Sequence, residues 1–89
     1  MAEEATILLT ELANSERLMI VTLLHEQGEM YVNDIVSTLG ANRASLSRHL
    51  ARLRQHSMVT TRRKHNRIYY TLSHPKVGEL IKTLSGVMT

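Results

Sequence analysis

Between residues 35 and 78 the chain carries nine arginines and lysines and no carboxylate: Arg43, Arg48, Arg52, Arg54, Arg62, Arg63, Lys64, Arg67 and Lys76. Guanidinium groups donate paired hydrogen bonds to phosphates and to base edges, and a stretch with no acid beside it in sequence attracts polyanions. The first 34 residues are the reverse, seven carboxylates against Arg17, so the net charge of +3 averages a −6 segment and a +9 segment. Asn42, Arg43, Ser45, Ser47 and Arg48 crowd into one short stretch and are residue types that reach bases or phosphates; Arg52 and Arg54, further along, are expected to meet phosphates. A second basic cluster, Lys64, His65 and Arg67, lies farther along. This is the chemistry of nucleic-acid recognition. Nothing in the chain resembles a catalytic set: there is no nucleophile with a neighbouring base, no phosphate-cradling glycine loop and no paired carboxylates, so no enzyme and no cofactor are expected.

Composition excludes further classes. With no cysteine there is no disulfide scaffold, zinc knuckle or thiol switch. Apolar runs reach only three residues, as in Ile7-Leu8-Leu9, and the acidic start Met1-Ala2-Glu3-Glu4 is unlike a secretory signal, so a soluble cytoplasmic protein with no membrane segment is expected. The five histidines, His25, His49, His56, His65 and His74, show no metal-ligand spacing, so no metal is expected within one chain, while a site shared across a dimer and a histidine pH switch stay open. His49 lies beside an apolar helix face and reads as a partly buried structural residue. Tyr31, Tyr69 and Tyr70 read as packing and strand residues.

The elements that must position these residues follow from periodicity. Residues 3–12 carry Ile7, Leu8, Leu9 and Leu12 on a short helix, and Asn14-Ser15 then caps a second that ends near Gly28. A third runs over about 32–39 and stops at Gly40, and Asn42 caps a fourth to about His56 with Leu46, Leu50 and Leu53 on one face. After Met58 the period changes to two: residues 59–63 and 67–72 form a hairpin, with Asn66 in the left-handed conformation that a tight turn needs. Pro75 opens a last helix. The expected order is α-α-α-α-β-β-α in a single domain over residues 1–89, mainly α with one β-hairpin.

Two apolar stripes are left over. Ile7, Leu8 and Leu12 on the first helix, and Val77, Leu80, Ile81, Leu84 and Met88 on the last, are more than so short a chain is expected to bury alone, at about 1.5–3 kcal/mol per buried side chain. These eight residues are therefore expected at a homodimer interface formed by segments 1–13 and 74–89. The two helices flanking Gly40-Ala41-Asn42, over residues 32–56, fit a helix-turn-helix whose second helix enters the major groove, and the hairpin of residues 59–72 is a wing beside it.

The chain also resembles the ArsR/SmtB family of winged-helix repressors. The resemblance rests on Leu12-Ala13-Asn14-Ser15-Glu16-Arg17-Leu18, on Ser47-Arg48-His49-Leu50-Ala51-Arg52-Leu53-Arg54, and on Val59-Thr60-Thr61-Arg62-Arg63 with Ile68-Tyr69-Tyr70-Thr71-Leu72. It implies a homodimer through first and last helices, bound to an inverted-repeat operator in double-stranded DNA and blocking transcription until an inducer releases it. The family's sensor sites are missing. Tyr31 and Asn33 stand where two thiolates belong, Thr22 where another cysteine commonly falls, and His74, Lys76 and Val87 where a carboxylate and histidine pair holds zinc. The effector is not legible. Two other readings stay open: a winged-helix module docking RNA or an acidic protein, and an activator that displaces another DNA-binding protein.

Overall fold

A computed structural model describes residues 2–88, with the side chains of Ala2 and Met88 outside the description. Five helices, α1 (Ala2–Leu12), α2 (Ser15–Gln27), α3 (Val32–Leu39), α4 (Arg43–Gln55) and α5 (Pro75–Met88), accompany strands β1 (Met30–Tyr31), β2 (Val59–Lys64) and β3 (Arg67–Leu72). Capping fixes the boundaries. The Asn14 carboxamide accepts from the Arg17 amide and the Asn42 carboxamide from the Ser45 amide, each at 3.0 Å, so each helix start finds a partner for an otherwise orphaned donor. At the helix ends Gly28 and Gly40 take φ of 78° and 60°, values that side chains with a Cβ resist.

Helix α2 is the hub, touching α1, α3, α4, α5 and β3. It contributes Ile20, Val21 and Leu24 to a core completed by Ile35 of α3, Leu46, Leu50 and Leu53 of α4, and Met58 and Val59. The hairpin turns through His65 and Asn66 at φ 50° and 65°, two left-handed residues in succession, and Lys64 pairs with Arg67. This is the twist-matched geometry of a two-residue hairpin.

Two features differ from the sequence reading. Strand β1 was not anticipated: only two residues long, it pairs Met30 with Tyr70 and Tyr31 with Tyr69, giving an antiparallel sheet in the order β1-β3-β2. Two residues are too few for an alternating pattern to register. The apolar stripes of the terminal helices also divide. Leu8, Leu12, Val77 and Ile81 are buried inside the protomer's own core, while Ile7, Leu9 and Val87 are exposed and Leu80 and Leu84 half-buried. The period of 3.6 explains the division: Val77 and Ile81, four apart, turn inward, and Leu80, Leu84 and Val87 form the adjoining outward row. Met88 lies outside the described side chains.

The connection from α4 to β2 stores strain. Ser57 sits at φ 57°, its amide donating to the Arg54 carbonyl, while the Met58 amide donates to the Leu53 carbonyl. This is a helix stop that suits glycine and costs an L-residue about 1–2 kcal/mol. Ser57→Gly is therefore expected to raise stability by about 0.5–1 kcal/mol, after the glycine's extra unfolded-state entropy is subtracted. Calorimetry reads this as a melting temperature higher by roughly 2–8 °C; an unchanged or lower value would exclude the strain.

Candidate nucleic-acid interface

Helix α4 is presented with its core side fixed and its outer side free. Leu46, Leu50 and Leu53 are buried, and Arg43, Ser47, Arg48 and Arg54 are exposed. Ser45 is half-buried; its hydroxyl donates to Glu16 Oε2 at 3.0 Å, the oxygen that also lies 2.8 Å from His49 Nε2. The other ring nitrogen of His49 is 3.4 Å from Arg17 Nη1, which gives this half-buried histidine its structural role. The Asn42 side chain is taken up by its capping bond.

Behind α4 sits a buried carboxylate. Glu11 is only 2% exposed, and it accepts from Arg52 through both oxygens, Nε to Oε1 at 2.6 Å and Nη2 to Oε2 at 3.1 Å. Arg17, also buried, donates from Nε to the Glu11 carbonyl at 2.6 Å and stands 3.7 Å from Oε1. His56 completes the surround at 3.8 Å. A carboxylate taken from water is tolerable only with such partners. The bidentate bond from Arg52 is the chief reason that the Glu11 carboxyl is held below the usual carboxylate range; burial opposes the shift, and the charges of Arg52, His56 and Arg17 assist it.

Tertiary structure therefore alters the charge picture drawn from sequence. Acids of the first segment fold onto bases of the second: Glu11 onto Arg52, Glu29 onto Arg62 through two bonds of 2.8 and 2.6 Å, and Glu4 toward His74 and Lys76 at 3.0 and 3.8 Å. Among the described residues, the bases with no carboxylate within 4 Å are Arg43, Arg48 and Arg54 on α4, Arg63, Lys64 and Arg67 on the hairpin, and Lys82 on α5, with Lys64 feeling Glu29 at longer range. Arg52, expected to meet phosphate, has its guanidinium occupied by Glu11, though half of the side chain stays exposed. His65 is exposed at the hairpin tip. Sequence reasoning passed over Glu11, Glu16 and Arg63. Arg17, the one base among seven acids, was the available signal for a buried ion cluster.

Residues 14–61, more than half of the chain and spanning α2 to the start of the hairpin, match the family described as bacterial regulatory protein, arsR family. The chain belongs to the arsR family of bacterial regulatory proteins. It is 37% identical to the transcriptional activator HlyU of Vibrio cholerae over 81 residues, 91% of this chain and 74% of that one. It is also 37% identical to the biofilm growth-associated repressor of Agrobacterium fabrum over 86 residues, 97% and 73% of the two chains. The crystal structure of the repressor BigR from Xylella fastidiosa matches with a TM-score of 0.93 at 34% identity, over 99% of this chain and 89% of that one. A homodimeric winged helix-turn-helix DNA-binding domain from Mycobacterium bovis matches at 0.85 and 31%, over 98% and 80%. The fold is a winged helix-turn-helix, with α3 and α4 as the helix pair and β2–β3 as the wing, and the chain is a DNA-binding transcriptional regulator of this family, not an enzyme. No described helix is long and apolar enough to cross a membrane.

The Glu11 cluster makes a stability prediction. Glu11→Gln leaves the buried Arg17 without its carboxylate and Arg52 without a bidentate partner, at an expected cost of about 2–4 kcal/mol, below the top of the range because Arg52 is half in water. Because the folded carboxyl titrates below its unfolded value, its contribution is complete above the unfolded value of about 4.3 and is lost as pH falls through the folded one. The parent's melting temperature should drop between about pH 5 and pH 3, and Glu11→Gln should flatten that drop. A parallel pH profile in the variant would remove the buried carboxylate from the account.

Proposed function

We propose that this regulator acts as a homodimer on an inverted-repeat operator and represses transcription from it. Arg43, Ser47 and Arg48 read base edges; Asn42 and Ser45, already bonded within the protein, shape the head of α4 at the DNA. Arg54, Lys64, His65 and Arg67 hold backbone, with Arg63 added to them. Arg52, gripped by Glu11, braces the helix and contributes little net charge to the DNA face. The observation that carries this reading is the selective neutralisation described above: intramolecular acids cover Arg17, Arg52, Arg62 and Lys76, and all remaining described bases but Lys82 lie on the recognition helix or the wing. Such a residue charge is a phosphate footprint.

Dimerisation uses the outward rows, Ile7 and Leu9 of α1 with Leu80, Leu84 and Val87 of α5. Leu8, Leu12, Val77 and Ile81 support those helices from within. Two-fold pairing sets two copies of α4 about one DNA turn apart, roughly 34 Å, which is the geometry that an inverted repeat answers. The names of the repressors BigR and the biofilm growth-associated repressor favour repression; HlyU is named an activator.

Duplexes selected from a random pool and compared with scrambled sequence at about 0.15 M salt test the reading directly. Arg48→Ala should lower operator affinity about 10- to 100-fold while leaving scrambled DNA much less affected, and Arg67→Ala should weaken both alike and reduce the salt slope by about one. Equal losses on the two duplexes for Arg48→Ala would remove it from base readout. For the dimer, the pair Ile7→Glu and Leu84→Glu should yield a folded monomer by light scattering. Leu8→Ala should instead destabilise the protomer by about 2–5 kcal/mol.

A further inference from the structure

A chain of side chains joins the head of the recognition helix to the wing, and stability does not account for it. Tyr31 ends β1 opposite Tyr69 of β3, the two rings 5.8 Å apart and inclined at 45°. Arg67, two residues before Tyr69 and so on the same face of β3, places its guanidinium carbon 4.9 Å from the centroid of the Tyr31 ring, within cation–π range. At its other end the Tyr31 hydroxyl accepts from Asn33 Nδ2 at 2.8 Å, and Asn33 Oδ1 accepts from Arg43 Nη1 at 2.5 Å. Arginine offers no acceptor, so the carboxamide has one orientation, its oxygen toward Arg43 and its nitrogen toward the phenol. Asn33, Arg43 and Arg67 are exposed and Tyr31 is half-buried. Polar contacts in such surroundings add little to folding. They do order two long cationic side chains that would otherwise move freely.

We propose that Tyr31 and Asn33 are positioning residues for DNA recognition, setting the Arg43 guanidinium on the recognition helix and the Arg67 guanidinium on the wing in a fixed relation. This rests on the reading above that Arg43 meets bases and Arg67 the backbone. With one Nη1 hydrogen held by Asn33, rotation of the Arg43 guanidinium is restricted and its remaining donors form the fork that guanine accepts. A side chain ordered before binding loses less freedom when it binds. The Tyr31 ring does the same for Arg67 from below, and the short β1–β3 pairing ties the two ends of the relay together.

The test uses the full chain, a duplex recovered by selection, and its scrambled counterpart. Asn33→Ala should cut the preference for the selected duplex about 3- to 10-fold, with the salt slope kept, and should cut it no further on an Arg43→Ala background. Tyr31→Phe, which keeps the ring and loses the acceptor, should reproduce part of the Asn33→Ala loss with normal salt dependence. Tyr31→Leu, which removes the ring, should also shift the salt slope toward that of Arg67→Ala. Melting temperatures of Asn33→Ala and Tyr31→Phe should match the parent's within about 3 °C, separating the relay from folding. Equal losses on both duplexes for Asn33→Ala, or the same further loss on the Arg43→Ala background, would overturn the relay while the function stands. A parent that does not prefer the selected duplex would overturn the function, and the relay with it.

Discussion

A carboxylate out of water must be answered by cations, and Glu11 is answered from two directions. Arg17 reaches it from the start of α2, and Arg52 from the third turn of α4. Three helices consequently meet at one charge. The hydrophobic core allows α4 several ways of lying across α2, since Leu46, Leu50 and Leu53 offer non-directional burial. The bidentate Arg52–Glu11 bond has only one satisfactory geometry, so it selects the rotation of α4 about its axis and hence which residues face outward. Glu16 repeats the device nearer the helix head, where a single oxygen receives both Ser45 and His49. Glu11 and Glu16 of the acidic first segment thus form a cradle for α4.

That cradle also decides where positive charge survives. A base paired with an acid adds little to the field felt by a polyanion, because the pair is a dipole at short range and falls away with distance. The bases so paired are Arg17 of α2, Arg52 of α4, Arg62 of β2 and Lys76 at the start of α5, and those left active, Lys82 apart, stand on the outer α4 surface and the wing. A net charge of +3 is modest for a protein that binds phosphate backbones. The placement of that charge, more than its amount, makes the interface.

Helices and hairpin were legible because each carries both a period and a punctuation mark: Asn14 and Gly28 around α2, Gly40 and Asn42 around the turn, Asn66 at the wing tip. Burial of α4 through Leu46, Leu50 and Leu53 followed from spacing alone. What sequence withheld has a common cause. The β1 pairing, the Glu11–Arg52 and Glu29–Arg62 bridges and the Asn33–Arg43 bond all join residues ten or more positions apart, and no local pattern encodes a partner at that distance. The division of α1 and α5 into inner and outer rows was hidden for a different reason. Apolar residues occupy both rows, so composition reports a wide stripe and only the fold tells which edge of it is already covered.

The two-residue strand is small in energy and large in consequence. The base of the hairpin is already held by packing on α2, α4 and α5, and β1 adds backbone pairing along its β3 edge. Pairing Tyr31 with Tyr69 fastens β3 to the residue that immediately precedes α3, so the first helix of the helix-turn-helix and the wing share one backbone hinge. Asn33, on the first turn of α3, bonds Arg43, and Tyr31, just before it, carries Arg67 over its ring, so both cations rest on this one junction. The opposite surface has no such closure: Ile7, Leu9 and Val87 remain in water in the single protomer. In the proposed homodimer the basic face of α4 and the wing is complete within one chain, and the exposed apolar rows of α1 and α5 would be covered by the second, a division that suits the reading of two half-sites.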